Sequence, residues 1–183
     1  MSKIGLVLEG GGMKCAYTAG ILDAMMDNGV TFDYCIGVSA GSANGVSFVA
    51  GQRGRNIRFY TEHINEKGYF GLSSFLKTGN LFGLQYIYGT LTNSGGADPL
   101  DFDAFMKSPM EYWLVATDAQ TGKPTYFSKK DMHKDDYRHV MASCAIPAGL
   151  LRSMEDFTTM AVCRILFLFR KPWMTAVTSW LSF

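Results

Sequence analysis

Two short apolar runs, each ending in glycine, constrain this chain more than any other part of it. Ile4-Gly5-Leu6-Val7-Leu8 leads into Glu9-Gly10-Gly11-Gly12-Met13-Lys14. Phe32-Asp33-Tyr34-Cys35-Ile36 leads into Gly37-Val38-Ser39-Ala40-Gly41-Ser42. Unbroken apolar runs of strand length suit parallel strands buried on both faces. The residues between them, Cys15 to Asn28, carry a helical pattern, with Tyr17, Ile21, Ala24 and Met25 on one face and Gly29 as the stop. Small residues (Ala40, Ser42, Ala43, Gly45) open a second helix after Ser39. A strand–helix–strand–helix order predicts a parallel sheet joined by right-handed crossovers.

Each strand end carries chemistry. Gly37-Val38-Ser39-Ala40-Gly41 is a Gly-x-Ser-x-Gly sequence between a strand and a helix, the form of a nucleophile elbow. Such a turn holds its flanking residues so close to neighbouring backbone that a Cβ would clash there. It lifts the serine hydroxyl to the sheet edge and aims the following helix N-terminus at it. Gly10, Gly11 and Gly12 admit three readings: a phosphate cradle, an oxyanion hole or a tight structural turn. Against phosphate stand the lack of a Gly-Lys-Ser/Thr ending, Cys15 at the last position of a would-be G-x-G-x-x-G, and the like charge of Glu9. For the oxyanion hole stands topology, because neighbouring parallel strands bring Gly10–Gly12 and Ser39 to one sheet edge.

The 183 residues suffice for one domain with a sizeable core. With 48% hydrophobic and 18% charged residues the chain is globular, and a net charge of +1 provides no field for nucleic acid. Cys15, Cys35, Cys144 and Cys163 are scattered, which favours reduced thiols and a cytoplasmic protein, peripheral to membranes at most. The N-terminus does not read as a signal peptide and no apolar run is long enough to span a bilayer. Asn56–Glu66 reads as a helix, Gly68–Gly96 as irregular with short helices, and Asp101–Met106 as a short capped helix. Glu111–Thr117 reads as a strand that turns through Asp118–Lys123 into Pro124–Phe127, and Tyr137–Ser143 as a helix.

Taken together, Leu6-Val7-Leu8-Glu9-Gly10-Gly11-Gly12-Met13-Lys14, Tyr17-Thr18-Ala19-Gly20-Ile21-Leu22 and Gly37-Val38-Ser39-Ala40-Gly41 resemble the patatin-like phospholipase family. Ala116-Thr117-Asp118 through Thr121-Gly122, and Ala142-Ser143-Cys144-Ala145-Ile146-Pro147, are similar to its later landmarks. The resemblance covers residues 3 to 150. Lys14 and Cys15 stand where the family usually has Arg and Gly. It implies a three-layer α/β/α sandwich with a mostly parallel sheet, here incomplete at the C-terminus. It also implies hydrolysis of phospholipids or other acyl esters by a serine–aspartate dyad, without metal or cofactor; transient membrane-surface contact is the expectation that the Arg, Lys and Trp residues after Leu151 add. Ser39 would be the nucleophile, in an elbow flanked by Gly37 and Gly41. N–H groups of the Gly10–Gly12 loop, with Ala40, would hold the oxyanion.

The dyad aspartate should lie in an Asp-Gly-Gly or Asp-Gly-Ala turn beyond Ala145-Ile146-Pro147, and the chain has none. Asp156 is the only later aspartate; followed by Phe157 and Thr158, it reads as a solvated loop residue. Residues 151–183 form a divergent tail that carries Arg164, Arg170 and Lys171 after the last acid. With permitted codon choices, the codons for Leu151 to Val162 read one frame over encode an Asp-Gly-Gly segment. The expectation is that the chain leaves the family's reading frame near residue 150, and sequencing the gene tests it. Two alternatives accompany the hydrolase: a non-catalytic lipid-binding relative or truncated product, and a serine acyltransferase. The latter needs a histidine. His63, His133 and His139 show no metal-ligand spacing, and a triad histidine normally follows the acid in the chain. Asp118, at a strand end, reads as a turn residue.

Overall fold

A computed structural model of the chain describes residues 3–71, 82–118 and 120–145. Four strands form one sheet: β1 (Gly5–Leu8), β2 (Tyr34–Val38), β3 (Glu111–Thr117) and β4 (Pro124–Ser128), in that order. β1, β2 and β3 are parallel, and β4 returns antiparallel to β3. The mostly parallel α/β architecture expected from the sequence is therefore present. The hairpin forms because Asp118 closes its own turn. Its carboxylate accepts from the N–H groups of Gln120 (3.0 Å) and Thr121 (2.7 Å) and from the Thr121 hydroxyl (2.8 Å). These bonds, led by the Thr121 N–H, hold the Asp118 carboxyl below its usual range. Asp118 is a turn residue, as its position suggests.

Helix α1 (Cys15–Asp27) follows a 3₁₀ turn over Gly12–Lys14 and ends in a Schellman pair. Val30 N–H donates to Met25 C=O (2.9 Å) and Gly29 N–H to Met26 C=O (3.1 Å). Its buried stripe is Cys15, Ala19 and Leu22. This corrects the expected face, since Tyr17 is 73% exposed. Small residues at Cys15 and Ala19 let α1 approach α2 (Ala40–Val49), which larger side chains would prevent. Helix α2 in turn lies flat on the sheet, where Gly45 leaves room beside Cys35 and Tyr112. With α5 (Phe102–Lys107) and α6 (Arg138–Cys144), these helices bury the main core: Leu22, Val46, Phe105 and Val140 pack with Leu8, Cys35, Tyr112 and Leu114. Asp101 caps α5 by accepting from Ala104 N–H (2.9 Å). The opposite sheet face carries a smaller cluster, Ile36, Val38 and Val115. The tail after residue 150, Asp156 and the proposed change of frame lie outside the described residues.

The expected helix at 56–66 is divided. Helix α3 (Arg55–Thr61) stops, and a separate 3₁₀ turn holds His63–Asn65. The cause is a buried polar network that draws His63 toward Asp98. Asp98, 4% exposed, accepts from Arg58 Nε (2.7 Å) and Nη2 (2.9 Å) and faces His63 Nε2 at 3.1 Å. Arg55 sits 3.5 Å from the same carboxylate and donates to Ser47 Oγ, Thr92 Oγ1 and Asp98 C=O. His63 Nδ1 meets Glu66 at 2.7 Å, and Tyr86 O–H donates to Glu66 at 2.6 Å. The network fastens α3 to an aromatic wall built on α4 (Leu84–Tyr86) and the π-turn Ile87–Leu91, where Phe59, Tyr69, Ile87 and Leu91 pack together.

This network has a pH signature. Burial opposes charge on His63, but hydrogen bonds to Glu66 and Asp98 outweigh it and raise the ring above its ordinary value. A raised folded value means the contribution is complete below about 6.5 and fades as pH rises through the folded value. Denaturant midpoints of the native chain should therefore decline as pH rises from about 6.5. His63→Gln should flatten that slope. Parallel slopes for the two proteins would remove His63 from the account.

Candidate active site

Ser39 stands between the end of β2 and the start of α2 with φ 55° and ψ −132°. A non-glycine residue there carries about 1–3 kcal/mol of strain, which persists only where the surroundings over-determine it. The surroundings are visible. A Cβ on Gly37 would stand 2.6 Å from Gly41 C=O and from Ser42 Cα. A Cβ on Gly41 would run into the backbone of Leu8 and Glu9. Both flanking glycines are thus required by close approach, and Gly41 presses the elbow directly against the end of β1. Gly41→Ala should cost about 1–3 kcal/mol, because backbone cannot swing aside as a side chain can. A urea midpoint equal to that of the native chain would contradict this packing.

The glycine loop meets the same edge. Gly10 lies so near Ser39 that a Cβ on it would stand 2.9 Å from Ser39 Cβ. Gly12 adopts φ 53°, and Lys14 N–H closes the loop onto Gly11 C=O at 3.1 Å. The N–H groups of Gly10, Gly11 and Gly12 have no backbone acceptor among the described residues. Cys15, at the family's glycine position, has an ordinary right-handed backbone (φ −69°) and begins α1 without difficulty. The loop is braced from beneath by Asn44, 2% exposed. Asn44 Nδ2 donates to Cys15 C=O (3.0 Å), and Tyr60 O–H donates to Asn44 Oδ1 (3.1 Å).

A second brace acts on the nucleophile itself. Ser39 N–H donates to Ser143 Oγ at 2.8 Å, and Ser143 O–H donates to Val115 C=O at 2.7 Å. Neither Asn44 nor Ser143 is assigned a task by the sequence. Asn44 had one signal, an amide among small and apolar residues on α2. Ser143 falls within a quoted family landmark, where spacing alone cannot show which residue it touches.

Ser39 and the loop open onto a cavity of about 480 Å³, within the range of small-molecule sites. Its walls are largely apolar, with Val46, Phe59, Tyr69, Ile87, Tyr88 and Val140 among them. Among the described residues no Asp, Glu or His lines it. His63 is occupied by Asp98 and Glu66, and the His139 ring packs at a tilt against Phe127 with centroids 4.3 Å apart. Cys144 also borders the cavity, but burial pushes its thiol up to about 11. It stays protonated near neutrality and does not compete with Ser39 as a nucleophile. Among the described residues, no cluster of His, Cys, Asp and Glu could hold a metal. No described helix is long and apolar enough to cross a membrane.

The chain is 30% identical over 155 residues to an uncharacterized protein, YjjU, of Escherichia coli strain K12. That alignment takes in 82% of this chain and 42% of the relative, so the chain spans about two fifths of the relative's length. The family model described as patatin-like phospholipase matches residues 6–161, a span that contains the glycine loop, the elbow and the whole four-stranded sheet except Gly5. With a family match over residues 6–161, most of its length, the chain belongs to the patatin-like phospholipase family.

Proposed function

We propose that the chain is a serine hydrolase of lipid acyl esters, with Ser39 as its nucleophile. The observation that carries this reading is the strained Ser39 backbone at the rim of an apolar cavity, beside the N–H groups of Gly10, Gly11 and Gly12. Ser39 Oγ attacks the ester carbonyl carbon. The carbonyl π bond opens onto oxygen, and that oxyanion turns toward Gly11, Gly12 and Ala40 N–H. Losing one donor of this kind typically costs about 3–4 kcal/mol in the transition state. The C–O bond then breaks, the alcohol leaves with a proton, and water releases the acid from the acyl-serine. The acyl chain occupies the cavity, where burial stabilises it by about 0.8 kcal/mol per methylene. Met13 and Tyr17, 40% and 73% exposed, flank the loop and would meet a lipid surface.

The general base is the open part of this mechanism. The family's aspartate would follow Pro147, beyond the described residues. The lack of an Asp-Gly-Gly or Asp-Gly-Ala turn after Pro147 in the sequence favours a second reading, a lipid-binding relative with little turnover. A p-nitrophenyl ester series separates the two. Saturable hydrolysis that strengthens with acyl length supports the hydrolase. Binding to phosphatidylcholine vesicles without ester turnover supports the binding protein. Transfer to an added thiol that outpaces hydrolysis would indicate an acyltransferase instead.

A further inference from the structure

From the geometry around Ser39 we infer that Ser143 is a positioning residue for the nucleophile: its hydroxyl ties the Ser39 backbone to β3 at the point where β2 ends. The inference rests on Ser39 being the reacting group. The parallel ladder between β2 and β3 runs from the Tyr34–Glu111 pair to the Val38–Val115 pair and goes no further. The next residue, Ser39, turns to φ 55°, and its N–H finds its acceptor in a side chain and not in the ladder. An unpaired amide there would be costly. The Ser143 hydroxyl fills the gap. It is fully buried and reaches Ser39 N at 2.8 Å and Val115 O at 2.7 Å.

A serine hydroxyl has one proton to donate. That proton goes to Val115 C=O, because a carbonyl can only accept. Ser143 Oγ therefore accepts from Ser39 N–H, and the direction of both bonds is fixed. The relay spans 28 residues of sequence on one side and 104 on the other. It joins α6 to the sheet and the elbow together. Its consequence is orientation. The Val38–Ser39 peptide plane is pinned, so rotation about the Ser39 N–Cα bond starts from a fixed frame. The position of Oγ and the aim of Ala40 N–H follow from it. Displacement of a reacting group by about 1 Å can cost on the order of a hundredfold in rate.

The relay makes a prediction that a packing role alone does not. Ser143→Ala removes one oxygen from a buried site and leaves Ser39 N–H without its acceptor. On p-nitrophenyl butyrate, kcat should fall about 10- to 100-fold while KM stays within about twofold. Labelling of Ser39 by a fluorophosphonate should slow by the same factor. Hydrogen–deuterium exchange at the Ser39 amide, read by mass spectrometry on the folded protein, should quicken at least tenfold. Ser143→Thr keeps the hydroxyl and should recover most of the amide protection. Should Ser143→Ala fail to fold, Ser143→Cys keeps the shape with a much weaker acceptor, and the same exchange measurement applies. Native exchange and native labelling rates in folded Ser143→Ala would overturn the inference. Absence of labelling in the native chain would count against the hydrolase, and the exchange result would still decide the part played by Ser143.

Discussion

Replacing Ser39 by alanine should reduce ester turnover by at least about a thousandfold while the protein stays folded. The expectation of an intact fold is specific. Alanine meets the same strain at φ 55° as serine does, and Ser39 Oγ has no hydrogen bond among the described residues. The N–H bond to Ser143 belongs to the backbone and survives the change. KM should move little, because the cavity walls are untouched. Turnover in Ser39→Ala within tenfold of the native chain would place the chemistry elsewhere.

The largest loss of stability is expected at Asp98. Asp98→Ala removes the carboxylate that faces Arg55, Arg58 and His63, and the Arg55 side chain is only 6% exposed. Burial already draws Arg55 down to about 10, so it remains charged near neutrality and would be left buried without a counter-charge. Breaking such a pair from one side costs about 3–5 kcal/mol, enough to lower the melting midpoint by about 10 °C or more in a domain of this size. Asp98→Asn should lie between the two, since the amide oxygen still accepts one hydrogen bond. The wall on α4 and the π-turn would loosen with it, so discrimination among acyl lengths should weaken alongside stability. A melting midpoint within about 2 °C of the native value would show that the network adds little.

What could be read from the sequence follows a physical divide. The strands and the elbow depend on neighbours in the chain, and their residues declare them. Gly37 and Gly41 are glycines because backbone lies against them, and the parallel pairing of β1 with β2 follows from the helix between. The turn at Asp118 and the cap at Asp101 are local too, and both form as expected. The misread parts are those decided by distant partners. The sequence pattern puts Tyr17 on the packed face of α1, but close packing against α2 selects the small residues Cys15 and Ala19 instead. The sequence predicts one helix over 56–66, but Asp98, far along the chain, pulls His63 into a separate turn. The roles of Ser143 and Asn44 cannot be read from the sequence for the same reason, since their partners lie 104 and 29 residues away. The general base is a different case: the chain has no Asp-Gly-Gly or Asp-Gly-Ala turn beyond Pro147, and Asp156 lies outside the described residues.

Everything proposed for the cavity depends on Ser39 being a working nucleophile. Incubating the native chain with a fluorophosphonate and mapping the adduct by peptide mass spectrometry tests this most directly. One equivalent of label is expected on the peptide carrying Ser39, lost in Ser39→Ala and blocked by a competing long-chain ester. No adduct on the folded protein, or an adduct on another residue that persists in Ser39→Ala, would contradict it.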